Sequence, residues 1–109
     1  MAEPEVHRET RERYRKKVTL LGGYIKKESD LMGDMIVEDL SFTGLSFVTM
    51  SEHSLEVGDT LRLKFRLDDP TMTEISRNGV VRYIQSRTVG VEFVSSASLD
   101  WALGFYLLV

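Results

Sequence analysis

The chain contains no cysteine, only two prolines and a single tryptophan among its 109 residues. Without cysteine it can form no disulfide and can offer neither a thiolate metal ligand nor a thiol nucleophile, so stability has to come from packing. No apolar run approaches the roughly 20 residues that a membrane-spanning helix needs. The charged amino terminus also lacks the apolar stretch of a secretory signal. The expectation is a cytoplasmic protein with no membrane insertion. Histidine is nearly as scarce: His7 and His53 have no metal-ligand spacing between them. No serine sits in a nucleophile-elbow context, and no glycine-rich phosphate loop precedes a helix. Neither an enzyme nor a cofactor or metal site is therefore expected, and a binding module is.

What is present is unevenly distributed. The formal charge is −3, yet Met1 to Lys17 holds six basic residues (Arg8, Arg11, Arg13, Arg15, Lys16, Lys17) against four acidic ones, while the remainder holds eight against thirteen. A locally basic arm on an acidic body suits capture of a small anion better than tracking along a duplex, where affinity grows with the number of phosphates neutralised. A solvated charged tail with no partner would show the same pattern. Beyond Val6 and Tyr14 the arm is almost devoid of apolar side chains, so it cannot bury enough surface to order itself and is expected to be flexible without a ligand. Residues 1–17 are accordingly set apart from a single domain over residues 18–109.

From Val18 the pattern becomes that of short strands. Val18 to Ile25 reads as the first, with a break or bulge at Gly22-Gly23, and Lys26 to Gly33 as a polar connector. Met35 to Leu40 and Leu45 to Val48 follow. Leu61, Leu63, Phe65 and Leu67 alternate with Arg62, Lys64 and Arg66, the period of a strand with one buried and one wet face. Asp68-Asp69-Pro70 closes that strand. Ile75 to Ile84 and Val89 to Phe93 complete a set of six. Short strands at such spacing argue for an all-β fold, a six-stranded antiparallel β-barrel. A C-terminal helix is expected over Leu99 to Leu108, capped by Ser96 or Ser98. One of its apolar stripes would cover an open end of the barrel. A second, Trp101, Phe105 and Leu108, would be buried in the same core or support a weak dimer of an otherwise monomeric protein.

The corner Asp39-Leu-Ser-Phe-Thr-Gly44 joins two of these strands. Asp39 and Ser41 carry short oxygen-bearing side chains that can bond nearby backbone N–H groups, and Gly44 can take positive φ. The corner is either a plain structural turn or one half of a ligand site whose other half is the basic arm.

These residues carry a resemblance. Arg11 and Arg15 form an arginine-x-x-x-arginine pair just before the first strand, and Asp39, Ser41 and Gly44 form aspartate-x-serine-x-x-glycine in a β-turn. Together with Gly79-Val80-Val81-Arg82-Tyr83 and Val89-Gly90-Val91-Glu92-Phe93, this arrangement resembles the PilZ domain family over nearly the whole chain. The resemblance implies a barrel that binds the bacterial second messenger cyclic di-GMP, without catalysis, and signals to a downstream protein partner in motility or exopolysaccharide regulation. It implies that Arg11 and Arg15 contact guanine edges and phosphates, that Asp39, Ser41 and Gly44 form the opposing wall, and that Tyr83 stands against a guanine. Lys16 and Lys17 intervene before Val18, so Arg13 with Lys17 is an alternative pair, although lysine lacks the planar fork that matches guanine O6 and N7. Two rival functions are a PilZ-like adaptor that binds no nucleotide, and a barrel for single-stranded nucleic acid. The second would want exposed aromatics interleaved with Arg62, Lys64 and Arg66. Because none is present, no DNA or RNA partner is expected.

Overall fold

A computed structural model describes residues 15–94 together with Leu103, Tyr106 and Leu107. Arg11, the rest of the arm up to Tyr14, and most of the expected C-terminal helix lie outside the described residues. Six strands follow one another: β1 (Lys16–Lys26), β2 (Leu31–Leu40), β3 (Gly44–Thr49), β4 (Thr60–Arg66), β5 (Glu74–Gln85) and β6 (Thr88–Phe93). All pairings are antiparallel, and the order β1-β2-β3-β6-β5-β4 closes through β1 against β4. The expected six-stranded barrel is thus the architecture of the described residues.

Binary patterning explains the closure. In β4, Leu61, Leu63 and Phe65 point inward and the intervening Arg62, Lys64 and Arg66 face water, as the two-residue period of a strand demands. Phe47, Phe65, Met35, Leu40, Leu61, Leu63, Val37, Val81 and Val89 are fully buried inside the ring. Tyr24 stacks on Phe47 with ring centroids 5.5 Å apart, an offset aromatic pair that adds to the area it buries. At the carboxyl end Leu103, Tyr106 and Leu107 have helical backbone and join the same core.

The strands depart from the sequence reading at four places, each for a local reason. β1 starts at Lys16, two residues before Val18, because Lys16 is anchored: its ammonium donates to the Tyr106 carbonyl at 3.2 Å and lies 4.0 Å over the Tyr106 ring. Gly22-Gly23 does not interrupt β1; both glycines are paired with β2 and β4. A Cβ on Gly22 would overlap the Lys64 carbonyl oxygen and the Phe65 Cβ, so glycine at this position lets the two seam strands meet. The irregularity in β1 falls instead between Lys17 and Leu20. Finally, the connector is shorter than Lys26 to Gly33, since β2 begins at Leu31. The turn is closed by Asp30, whose φ is 58° and whose N–H donates to the Lys26 carbonyl at 2.9 Å. Aspartate is among the few side chains that tolerate that conformation.

Candidate functional site

Three breaks in the ladders shape the outer wall at one end of the barrel. Between β1 and β2 the register shifts from Lys17/Asp39 to Leu20/Val37, and between β2 and β3 it shifts from Val37/Phe47 to Asp39/Ser46, so Glu38 is passed over on both sides. Between β5 and β6 it shifts from Val81/Val91 to Tyr83/Gly90, leaving Arg82 as the extra residue. A bulge inserts a residue without a partner and re-aims its neighbours. Here it turns both Arg82 and Tyr83 outward, where strict alternation would have sent one of them in.

The result is a row that crosses five strands: Lys17, Asp39, Ser46, Gly90 and Tyr83 are successive register partners. Asp39, Ser46, Gly90 and Tyr83 of this row line a concavity of about 500 Å³ that is also lined by Arg15, Ser41, Thr43, Gly44, Arg82 and Glu92. That volume suits a small organic ligand. Arg15 Nε lies 3.8 Å and Lys17 Nζ 3.9 Å from Asp39 Oδ1, and Ser46 Oγ donates to Asp39 Oδ2 at 3.4 Å. Such loosely spaced, solvent-facing ion pairs contribute at most about 1 kcal/mol each to stability. Their arrangement is therefore inexpensive to open for a ligand.

The corner itself is stiff. Ser41 N–H donates to the Gly44 carbonyl at 2.9 Å, Ser41 Oγ donates to the same carbonyl at 3.2 Å, and Thr43 N–H donates back to Ser41 Oγ at 3.2 Å. Gly44 does not have the positive φ expected of it; among described glycines only Gly58 does. Glycine is required because a Cβ there would overlap the Val91 carbonyl oxygen. The absent side chain thus brings β3 against β6 and keeps the pocket mouth open. Gly90 plays the matching part on the far wall. A Cβ on Gly90 would run into the Tyr83 ring, so that ring lies down over Gly90 and presents a half-exposed aromatic face.

Of the residues singled out in the sequence, Arg15, Asp39, Ser41, Gly44 and Tyr83 line this one concavity, and Arg11 lies outside the described residues. The interval between Arg15 and Val18 loses its significance because β1 begins at Lys16, which leaves Arg15 directly before the strand. Sequence reasoning missed Ser46, Gly90, and the Arg82–Glu92 pair, in which Arg82 Nε donates to Glu92 Oε1 at 2.7 Å. Ser46 and Gly90 could have been found from their place on strands flanking the motif. Arg82 could not, because its orientation depends on the bulge. A second, mostly apolar groove of about 760 Å³ runs between the middle of β1 and the end of β4 and holds none of these residues. Among the described residues no group of three or more His, Asp or Glu could hold a metal ion, and no helix is long and apolar enough to cross a membrane.

Fold and concavity together define a class: small closed β-barrels that carry a polar binding face on the outer wall. The chain belongs to the PilZ domain family, whose model matches residues 9–100. PilZ domains are receptors or adaptors and not enzymes, and they are generally receptors for cyclic di-GMP. Among solved structures, the PilZ domain of CeSA from a cellulose-synthesizing bacterium superposes with a TM-score of 0.63 at 13% identity, covering 86% of this chain and 90% of that one. The Bacillus subtilis inhibitor of motility MotI/DgrA superposes with a TM-score of 0.68 at 20% identity, covering 86% of this chain and 46% of that one. This chain therefore spans less than half of the motility inhibitor. No curated protein sequence matches.

Proposed function

We propose that this protein is a cyclic di-GMP receptor that binds the dinucleotide between the arginine motif and the barrel corner. The observation that carries this reading is the convergence of Arg15, Asp39, Ser41 and Gly44 on one concavity, with Arg15 Nε 3.8 Å from Asp39 Oδ1. Each group has a chemical counterpart on the ligand. The Arg15 guanidinium presents paired donors to guanine O6 and N7 or to two phosphate oxygens. The Asp39 carboxylate can only accept, which matches guanine N1–H and N2–H₂, and the Ser41 and Ser46 hydroxyls can assist. Tyr83 offers a face on which a base can stack.

Arg11 completes the pair from the arm, so the nucleotide bridges arm and corner, and binding changes the surface offered to a downstream protein. Amide exchange over residues 8–17 should slow when nucleotide is added; equal exchange with and without it rejects the bridging step. The assignment itself is tested by calorimetric titration with cyclic di-GMP. Wild-type protein should give saturable heat. Arg15→Ala and Asp39→Ala should each weaken binding by about tenfold or more, the size expected for loss of one bidentate contact, while circular dichroism stays unchanged. Absence of heat from the folded wild type at saturating nucleotide would leave the adaptor role in place of the receptor.

A further inference from the structure

The concavity contains two arginine–carboxylate pairs, and the family motif accounts for only one of them. Arg15 and Asp39 stand at the β1–β2 side, where Nε faces Oδ1. Arg82 and Glu92 stand at the β5–β6 side, where Nε donates to Oε1 at 2.7 Å. Both pairs line the same pocket. In each, the contact runs from Nε to a single carboxylate oxygen, so the terminal nitrogens of the guanidinium are not used by it; the second oxygen of Asp39 accepts from Ser46 Oγ at 3.4 Å. Among the described residues Arg82 has no other hydrogen-bond partner.

Position makes the second pair more than a surface ion pair. Glu92 is the register partner of Gly44, so no side chain stands between it and the corner. Arg82 is the extra residue of the β5 bulge and sits beside Tyr83, whose ring lies over Gly90. Asp39 and Glu92 belong to β2 and β6, which are separated only by β3, or roughly 10 Å at ordinary strand spacing. The floor between them is Ser46 and Gly90, which are small enough to admit a flat ring system.

A donor fork beside an acceptor-only carboxylate matches the O6/N7 acceptors and the N1–H/N2–H₂ donors of guanine, whereas adenine shares the N7 acceptor but carries a donor at position 6, an acceptor at N1 and no 2-amino group. Building on the receptor reading above, we infer that Arg82 and Glu92 form a second guanine subsite, so that the pocket reads both bases of a two-guanine ligand.

The test compares cyclic di-GMP with the mixed 3′,3′-cyclic GMP–AMP, which has one guanine, by calorimetry on wild type, Arg82→Ala and Glu92→Gln. Both side chains are more than half exposed, so the folded barrel should survive either change. Wild type should favour cyclic di-GMP over the mixed nucleotide by about tenfold or more. Each variant should lose that preference, with cyclic di-GMP weakened by about the same factor and the mixed nucleotide changed by less than about threefold. Equal weakening of both nucleotides would show a general charge effect and overturn the subsite, as would unchanged binding of both. Failure of the wild type to bind cyclic di-GMP would instead remove the receptor reading and the subsite with it, so the two failures are told apart by the wild-type titration.

Discussion

Gly44 shows at the scale of a single residue how turn chemistry and packing can be confused. A glycine after Asp-Leu-Ser-Phe-Thr reads as a residue chosen for its φ, but here it is chosen for its missing Cβ, which would meet the Val91 carbonyl. A backbone oxygen in a ladder cannot move aside as a side-chain tip can. Gly44→Ala should therefore destabilise the barrel by about 1–3 kcal/mol, the usual range for overpacking, as measured by urea unfolding. If instead positive φ were the constraint, Gly44→Asn would be better tolerated than Gly44→Ala, since asparagine visits that region; packing predicts it to be worse. Arg15, Asp39 and Ser41 were legible because their chemistry is local: a planar fork, an acceptor and a hydroxyl at fixed spacing. Ser46 and Gly90 could be reached only through their place on strands flanking that motif, because a small residue on a strand acquires meaning from what crosses beside it.

At the scale of elements, strands and their order could be read from alternation, as β4 demonstrates, while register could not. Bulges at Glu38 and Arg82 have no sequence signature apart from the side chains they reorient, and those bulges build the site. Connections were misjudged where a polar residue does structural work. His53, read from the sequence only as lacking metal-ligand spacing, accepts the Leu55 N–H at Nδ1 and meets the Ser86 carbonyl at 3.0 Å through Nε2, tying the β3–β4 loop to the β5–β6 turn. In the β4–β5 turn, the Thr73 N–H donated to Asp69 holds that carboxyl below its usual range, and the Thr73 hydroxyl adds to this against the opposing effect of burial.

Tyr106 makes the corresponding tie at the carboxyl end, donating to Asp68 Oδ1 at 2.5 Å. Burial first and this bond second push its phenol well above the ordinary tyrosine value of 10.0, and burial raises Tyr24 as well. A raised folded-state pKa contributes stability that is fully present below about pH 10 and is lost as pH climbs through and beyond it, because the unfolded chain releases those protons first. Denaturant midpoints should fall between about pH 9 and 11. Tyr106→Phe should flatten that fall in part, with Tyr24 supplying the rest, and should lower stability at neutral pH by roughly 1.5–3 kcal/mol, as expected for a hydrogen bond to a charged acceptor.

For the whole molecule the decisive contact is the seam at which β1 meets β4, where Gly22 faces Phe65 and Lys26 faces Leu61. Nothing in a linear pattern of apolar residues says which strands will close a ring, so the seam was the part of the architecture least accessible from sequence. Gly22→Ala should open it selectively. Amide protection should drop across Gly22–Lys26 and Leu61–Phe65 while the β3–β6 ladder stays slow to exchange; uniform loss of protection would mean that the barrel unfolds as one unit.

The floor of the pocket has a consequence for how the protein comes into being. Asp39, Ser46, Tyr83 and Gly90 belong to four strands that are brought side by side only when β6 docks between β3 and β5. A chain still emerging from the ribosome carries Arg15 first and the corner soon after, yet the concavity they line is incomplete until Glu92 has cleared the exit tunnel. A half-made copy therefore has no concavity to offer any ligand, and only a closed barrel carries one.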